Sequence, residues 1–139
     1  GYDELTDGAL AGGLTVDSPF GFISDWNAHL SVSKSVNLSG GSTLTPRVDW
    51  TWRSGLYTNA SGLPLPPPWA DALYQQDYSV VNISMSWESG AAGFKVTAGI
   101  ENVGDEEYAI FGDYQPNFGS DAEAYDRGRQ WYLMVGYEF

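Results

Sequence analysis

Few side chains in this sequence are equipped for chemistry, and their positions limit what that chemistry is. Eighteen Asp and Glu face only six Lys and Arg and a single histidine, with no cysteine. Disulfides and thiolate metal sites are therefore excluded, and one histidine rules out multi-histidine zinc motifs. No nucleophile elbow, phosphate-binding loop or histidine-based triad is present. The adjacent Glu106 and Glu107 lack the facing geometry of a glycosidase pair. No catalytic, metal or cofactor-binding set is read. Six scattered basic residues cannot neutralise a phosphate track, so nucleic acid is excluded as a partner.

What remains are contact residues. His29, Arg47, Asp49 and Arg53 combine both charges with an imidazole, suited either to an internal charge network or to touching a passing anionic substrate. Asp105, Glu106, Glu107, Asp113, Asp121, Glu123 and Asp126 form an acidic run broken by no basic residue before Arg127. Asp121-x-Glu123-x-x-Asp126 lacks the glycine and spacing of a calcium loop, which favours a solvated acidic loop. Tyr108, Phe111, Tyr114, Phe118 and Tyr125 set rings beside those acceptors. That mixture fits contact with a sugar, and equally fits packing of the loop on itself. Four prolines between Leu63 and Trp69 forbid helix and sheet pairing, so this stretch reads as a stiff spacer that places Trp69.

The elements that must hold these groups are strands. From Trp26 the even positions read Trp26, Ala28, Leu30, Val32, Lys34, Val36, Leu38, and the odd ones Asn27, His29, Ser31, Ser33, Ser35, Asn37. Leu44, Pro46, Val48, Trp50 and Trp52 then alternate with Thr45, Arg47, Asp49, Thr51 and Arg53. Val81, Ile83, Met85 and Trp87 repeat the scheme, as do Phe94, Val96, Ala98 and Ile100. Trp131, Leu133, Val135, Tyr137 and Phe139 complete it. Period two sustained over five segments predicts an all-β antiparallel meander of about five to six long strands. Helical periodicity appears nowhere over a comparable length.

Short glycine-bearing turns at 39–43 and 89–93 alternate with long connections at 58–77 and 104–128. The stretch 6–25 reads as a third long loop after a strand ending in residues 1–5. All long connections thus leave one end of the sheet, the layout of an outer-membrane barrel with short periplasmic turns and long extracellular loops. A soluble sandwich would bury the same apolar rows against each other. Rows near the ~9–11 residues of a tilted spanning strand favour the membrane. So do aromatics toward the strand ends, at Trp26, Trp52, Trp87, Phe94, Trp131, Tyr137 and Phe139. Polar rows of mixed charge fit a barrel lumen.

Trp131-x-Leu133-x-Val135-x-Tyr137-x-Phe139 resembles the carboxy-terminal signature of outer-membrane β-barrels that the barrel-assembly machinery recognises. Asn102-Val103-Gly104-Asp105-Glu106-Glu107-Tyr108 is similar to the Asn-Leu-x-Asp-x-x-Tyr segment of TonB-dependent receptors. Gly128-Arg129 and Pro46-x-x-Asp49-x-x-x-Arg53 also match that family, in its order. The departures are Val103 for leucine and Gly104 for a larger residue. The resemblance implies an outer-membrane importer of a Gram-negative bacterium, not an enzyme, carrying a siderophore-iron complex or another scarce nutrient. TonB would act only through a plug domain that this sequence lacks.

On this reading residues 1–139 are the carboxy-terminal segment of a 22-stranded barrel. The expected partners are outer-membrane lipid and the remainder of the barrel, whether in one precursor, a companion chain or copies of itself. His29, Arg47, Asp49, Arg53, Trp69, Asp113, Tyr114 and Phe118 are the candidate lumen or ligand contacts. Two other readings stay open: a sheet that self-associates through its strand edges, and a soluble glycan-binding β-domain.

Overall fold

A computed structural model of the chain describes residues 21–59, 72–90, 93–115 and 118–138. Within them lie β1 (Asn27–Ser33), β2 (Val36–Asn37), β3 (Thr43–Arg53), β4 (Leu56–Tyr57), β5 (Tyr74–Gln75), β6 (Tyr78–Glu88), β7 (Phe94–Glu101), β8 (Ala109–Gln115), β9 (Ser120–Tyr125) and β10 (Gln130–Tyr137). The expected strand end in residues 1–5, the proline stretch with Trp69, and Phe139 lie outside the described residues. The chain divides into a sheet unit (27–53, 78–107 and 127–139) and a loop unit (1–26, 54–77 and 108–126).

The sheet unit is the antiparallel meander that period two implies, in the order β1-β3-β6-β7-β10. Its first strand is broken where the sequence pattern is continuous. β1 and β2 both pair with β3 in a single register, Ser33 opposite Arg47 and Val36 opposite Leu44. Between them the Lys34 N–H donates to the Pro46 carbonyl at 3.2 Å. Proline has no N–H to return to Lys34, so the ladder loses one bond and the strand its regularity. Beyond the break the Leu38 N–H reaches the Ser42 carbonyl at 2.8 Å. Gly40 and Gly41 then turn the chain with φ of 79° and 76°, angles that side chains with a Cβ resist.

Residues directly opposite on paired strands share a face, so register sorts the side chains. Val32, Val48, Ile83, Ile100 and Trp131 form one row through all five strands. Pro46, Met85, Ala98 and Leu133 form the next, and Val36, Leu44, Trp87, Val96 and Val135 the third. The other face carries Ser33, Arg47, Ser84, Gly99 and Tyr132 in one row, and Thr45, Ser86, Thr97 and Met134 in another. None of these apolar rows is covered. Val32 is 60% exposed, Leu133 69% and Val135 67%. The buried apolar side chains among the described residues are Leu56, Leu73 and Ala109, all in the loop unit.

The loop unit corrects one expectation. Connections 58–77 and 104–128 are not plain loops, because β4 pairs with β5 and β8 with β9. Their centre is the buried Thr58, whose N–H and Oγ1 both donate to the Leu73 carbonyl at 3.0 Å. The Thr58 carbonyl accepts from the Gly112 N–H at 2.7 Å. A Cβ at residue 112 would collide with Thr58 Oγ1 and Leu73 Cδ2, so β8 crosses here only as glycine. The Ala109 N–H donates to Gln75 Oε1 at 2.7 Å. These strands escape the sequence pattern because Ala109 to Gln115 shows no apolar alternation.

On β7, a Cβ at Gly99 would lie 2.5 Å from the ring of its cross-strand partner Tyr132. Gly99→Ala should therefore destabilise the folded state by about 1–3 kcal/mol through overpacking. Adding Tyr132→Ala should remove much of that cost, because the ring that the methyl strikes is gone. Denaturant midpoints of the two single variants and the double variant measure the coupling; additive losses would contradict the contact.

Candidate functional site

The polar face of β1 and β3 brings together three of the residues singled out in the sequence. Arg47 donates to Asp49 through Nε at 2.7 Å and Nη2 at 2.6 Å, a two-pronged pair between residues that period two places on one face. His29 Nε2 stands 3.8 Å from Asp49 Oδ1, while its Nδ1 lies 3.2 Å from Thr51 Oγ1. Thr51 is the cross-strand partner of His29, and Asp49 that of Ser31, so the contact to Asp49 runs diagonally. The Asp49 carboxylate is 18% exposed, against 57% for His29 and 51% for Arg47, so the acid is the enclosed member of the group. Arg53 shares the face, opposite Asn27 and Tyr78, and forms no ion pair with the described residues. Nearer the short turns, Ser86 meets Thr97 at 2.8 Å and Lys95 meets Glu88 at 2.6 Å. This wall pairs several of its polar groups, along β3 and across strands, and Arg53 adds a charge that can engage a polar partner.

A second constellation ends β7. Asn102 sits in the left-handed region at φ 51°, which asparagine tolerates better than most residues, and it is 4% exposed. Its Nδ2 donates to the Glu106 carbonyl at 2.9 Å, and its Oδ1 accepts from the Glu106 N–H at 2.9 Å. Asp105, at φ 56°, gives its N–H to the Asn102 carbonyl at 2.9 Å. The Asp105 Oδ1 then accepts the Arg129 N–H at 2.7 Å, tying the start of the last strand to the end of β7. A Cβ at Gly128 would stand 2.9 Å from that oxygen, so glycine lets the chain pass. Around Gly104 a Cβ would meet nothing within 4 Å, so a larger residue fits there without change. The residues of this motif therefore close a turn and touch no open surface that needs a ligand.

One member of the knot has no sequence signal. Asn82 Oδ1 accepts the Asn102 N–H at 2.8 Å from the neighbouring strand. In the sequence Asn82 is one more polar residue of an alternating row, and only the register shows its role.

In the loop unit, the Tyr108 hydroxyl donates to Asp126 Oδ2, and the Asp126 N–H returns to the Tyr108 carbonyl at 3.0 Å, closing the base of the β8–β9 hairpin. Asp113 and Tyr114 are neighbours on β8 and point to opposite faces; Asp113 accepts from Gln115 Nε2 at 3.1 Å. Phe118 stands in the turn, 79% exposed. Trp69 lies outside the described residues.

A solved structure resembles this chain in fold. The ferric yersiniabactin uptake receptor FyuA from Yersinia pestis matches 84% of this chain with a TM-score of 0.67 at 20% sequence identity. The likeness is one of fold. This meander follows an arc of a β-barrel receptor. The chain spans 16% of that receptor's length. No protein-family model matches the sequence, and no curated protein does.

The knot at Asn102 separates two physical contributions. Asn102→Gly keeps the left-handed backbone and loses the paired side-chain bonds, at about 1–3 kcal/mol. Asn102→Ala loses both and should fall about 1–2 kcal/mol lower, the cost of a left-handed backbone with a Cβ. Denaturant midpoints should rank the native chain above Gly and Gly above Ala; Ala equal to Gly would mean the φ constraint carries nothing.

Proposed function

We propose that this chain is the carboxy-terminal barrel segment of an outer-membrane receptor of the TonB-dependent kind, acting in import across the outer membrane of a Gram-negative bacterium. The observation that carries this reading is the sheet's two-faced register. Apolar rows starting at Val32 and Val36 cross the whole sheet, a third runs from Pro46 to Leu133, and none of their side chains is buried, while the opposite face pairs Arg47 with Asp49 along β3 and Lys95 with Glu88 across strands. A soluble sandwich needs a second layer over such rows, and lipid supplies that cover without one. From Trp26 to Leu38 the apolar row advances twelve steps, about 40 Å at ~3.3 Å per residue. Tilted as barrel strands are, that spans roughly 30 Å, enough for a ~25 Å apolar band and its aromatic borders. The fold likeness to a siderophore uptake receptor supports a role in transport.

In this reading Trp131, Leu133, Val135 and Tyr137 face lipid, and His29, Arg47, Asp49 and Arg53 line the inner wall against the remainder of the receptor. The imported ligand would be a siderophore-iron complex or another scarce nutrient. β1 and β10 end the sheet with their outer edges unpaired among the described residues. Unpaired strand edges are not tolerated in lipid, so further strands of the same barrel must cover them. Those same edges favour a second reading, in which copies of the sheet associate with one another.

Cell fractionation tests the proposal. The full chain should partition with the outer membrane and migrate as a heat-modifiable species in detergent gels. Leu133→Arg, near the middle of the apolar row, should cost about 2–4 kcal/mol of folding free energy in lipid. Ser84→Arg, on the polar face, should cost far less. A folded monomer in detergent-free buffer would overturn the reading, and filaments would select the self-associating one.

A further inference from the structure

Charge is divided between the two units far more sharply than the whole chain suggests. All six Lys and Arg and the single histidine fall in the sheet unit. The loop unit holds eleven of the eighteen carboxylates and no basic side chain at all. Among its described residues Asp25, Asp77, Asp113, Asp121, Glu123 and Asp126 carry negative charge, and none carries a positive charge to receive an anionic ligand.

The same unit carries an accessible aromatic shelf. Phe22 and Phe111 stack with ring centroids 6.2 Å apart and planes 14° from parallel, yet they remain 41% and 46% exposed. Phe22 holds its place with a φ of 64°, a conformation that a bulky side chain adopts only under constraint. Its N–H is fixed to the Tyr57 carbonyl at 2.7 Å. Along β8, Phe111 and Asp113 point to one face, and their partners across the hairpin are Ala124 and Ala122. With alanines opposite both, the neighbours on that face are the Phe22 ring against Phe111 and the Gln115 amide on Asp113, and Phe111 stays 46% exposed. An open ring face beside a carboxylate attracts a cation twice, through the ring quadrupole and through the charge.

We propose that the Phe22–Phe111 shelf with Asp113 is a ligand contact for a small cationic molecule that also presents apolar or aromatic surface. The choice of a cation rests on charge complementarity, since nothing basic in the loop unit pairs with an anion. The proposal builds on the receptor reading and names its ligand class: a positively charged or cation-bearing compound is drawn in, and polyanions are repelled.

The test uses the full chain in outer-membrane vesicles and two matched tetrapeptides, dansyl-Phe-Lys-Lys-Phe amide and dansyl-Phe-Glu-Glu-Phe amide. Fluorescence titration should give saturable binding of the cationic probe, at least tenfold tighter than the anionic one. Phe111→Ala and Asp113→Asn should each weaken the cationic probe at least threefold. Because neither change touches the buried Thr58–Leu73 contacts, both variants should keep the heat-modifiable mobility of the native protein. Equal binding of the two probes, or unchanged cation binding in both folded variants, would overturn the shelf. The receptor reading would survive that result, since it fails on its own measure, the loss of outer-membrane partition and heat-modifiable mobility.

Discussion

Directly opposed residues on antiparallel strands share a face, with Cβ atoms about 4.5–5.5 Å apart, and a shift of one residue would send every side chain to the wrong side. In the sheet unit that pairing is kept across four interfaces in succession. It carries Val32, Val48, Ile83, Ile100 and Trp131 into one row although they come from five segments of the chain. The ion pair of Arg47 with Asp49, the approach of His29 and the seat of Tyr132 over Gly99 all depend on the same register. The interruption of backbone pairing opposite Pro46 leaves the register unchanged on either side.

An apolar face so regular and so exposed determines the setting in which the sheet can persist. In water exposed apolar rows drive association, and among the described residues of the sheet unit no second layer packs over these. The polar face, by contrast, is internally paired at several points, from Ser35 with Thr45 at 3.0 Å to Lys95 with Glu88. A wall that is apolar toward one medium and self-satisfied toward the other is the arrangement a barrel segment requires. The turn built by Asn102, Asp105 and Asn82 serves that wall, since it binds the end of β7 to the entry of β10 and so keeps the last pairing aligned.

The loop unit obeys different rules. Among the described residues its order comes from a few buried polar contacts around Thr58, with Leu73 a large side chain fully removed from solvent, and no apolar row runs through it. Such a unit is free to vary in charge and surface, and here it has concentrated carboxylates and exposed rings. The division of labour agrees with the proposal of a sheet set in lipid and connections that meet a ligand.

Alternation alone determined the five long strands, their faces and the pairing of short turns with long connections, because period two is a local property written into consecutive residues. The grouping of Arg47 with Asp49 was legible for the same reason, being two residues apart on one strand. The acidic run and its aromatic residues were visible as composition, but their partners were not. Only the tertiary structure decided that 104–128 folds into a hairpin, that Gly112 admits Thr58 and Leu73, and that Asn82 holds Asn102. It alone set the ring of Phe22 against Phe111. Each of these joins residues distant in sequence through backbone groups or close approach, and such contacts leave no periodic trace in the order of side chains.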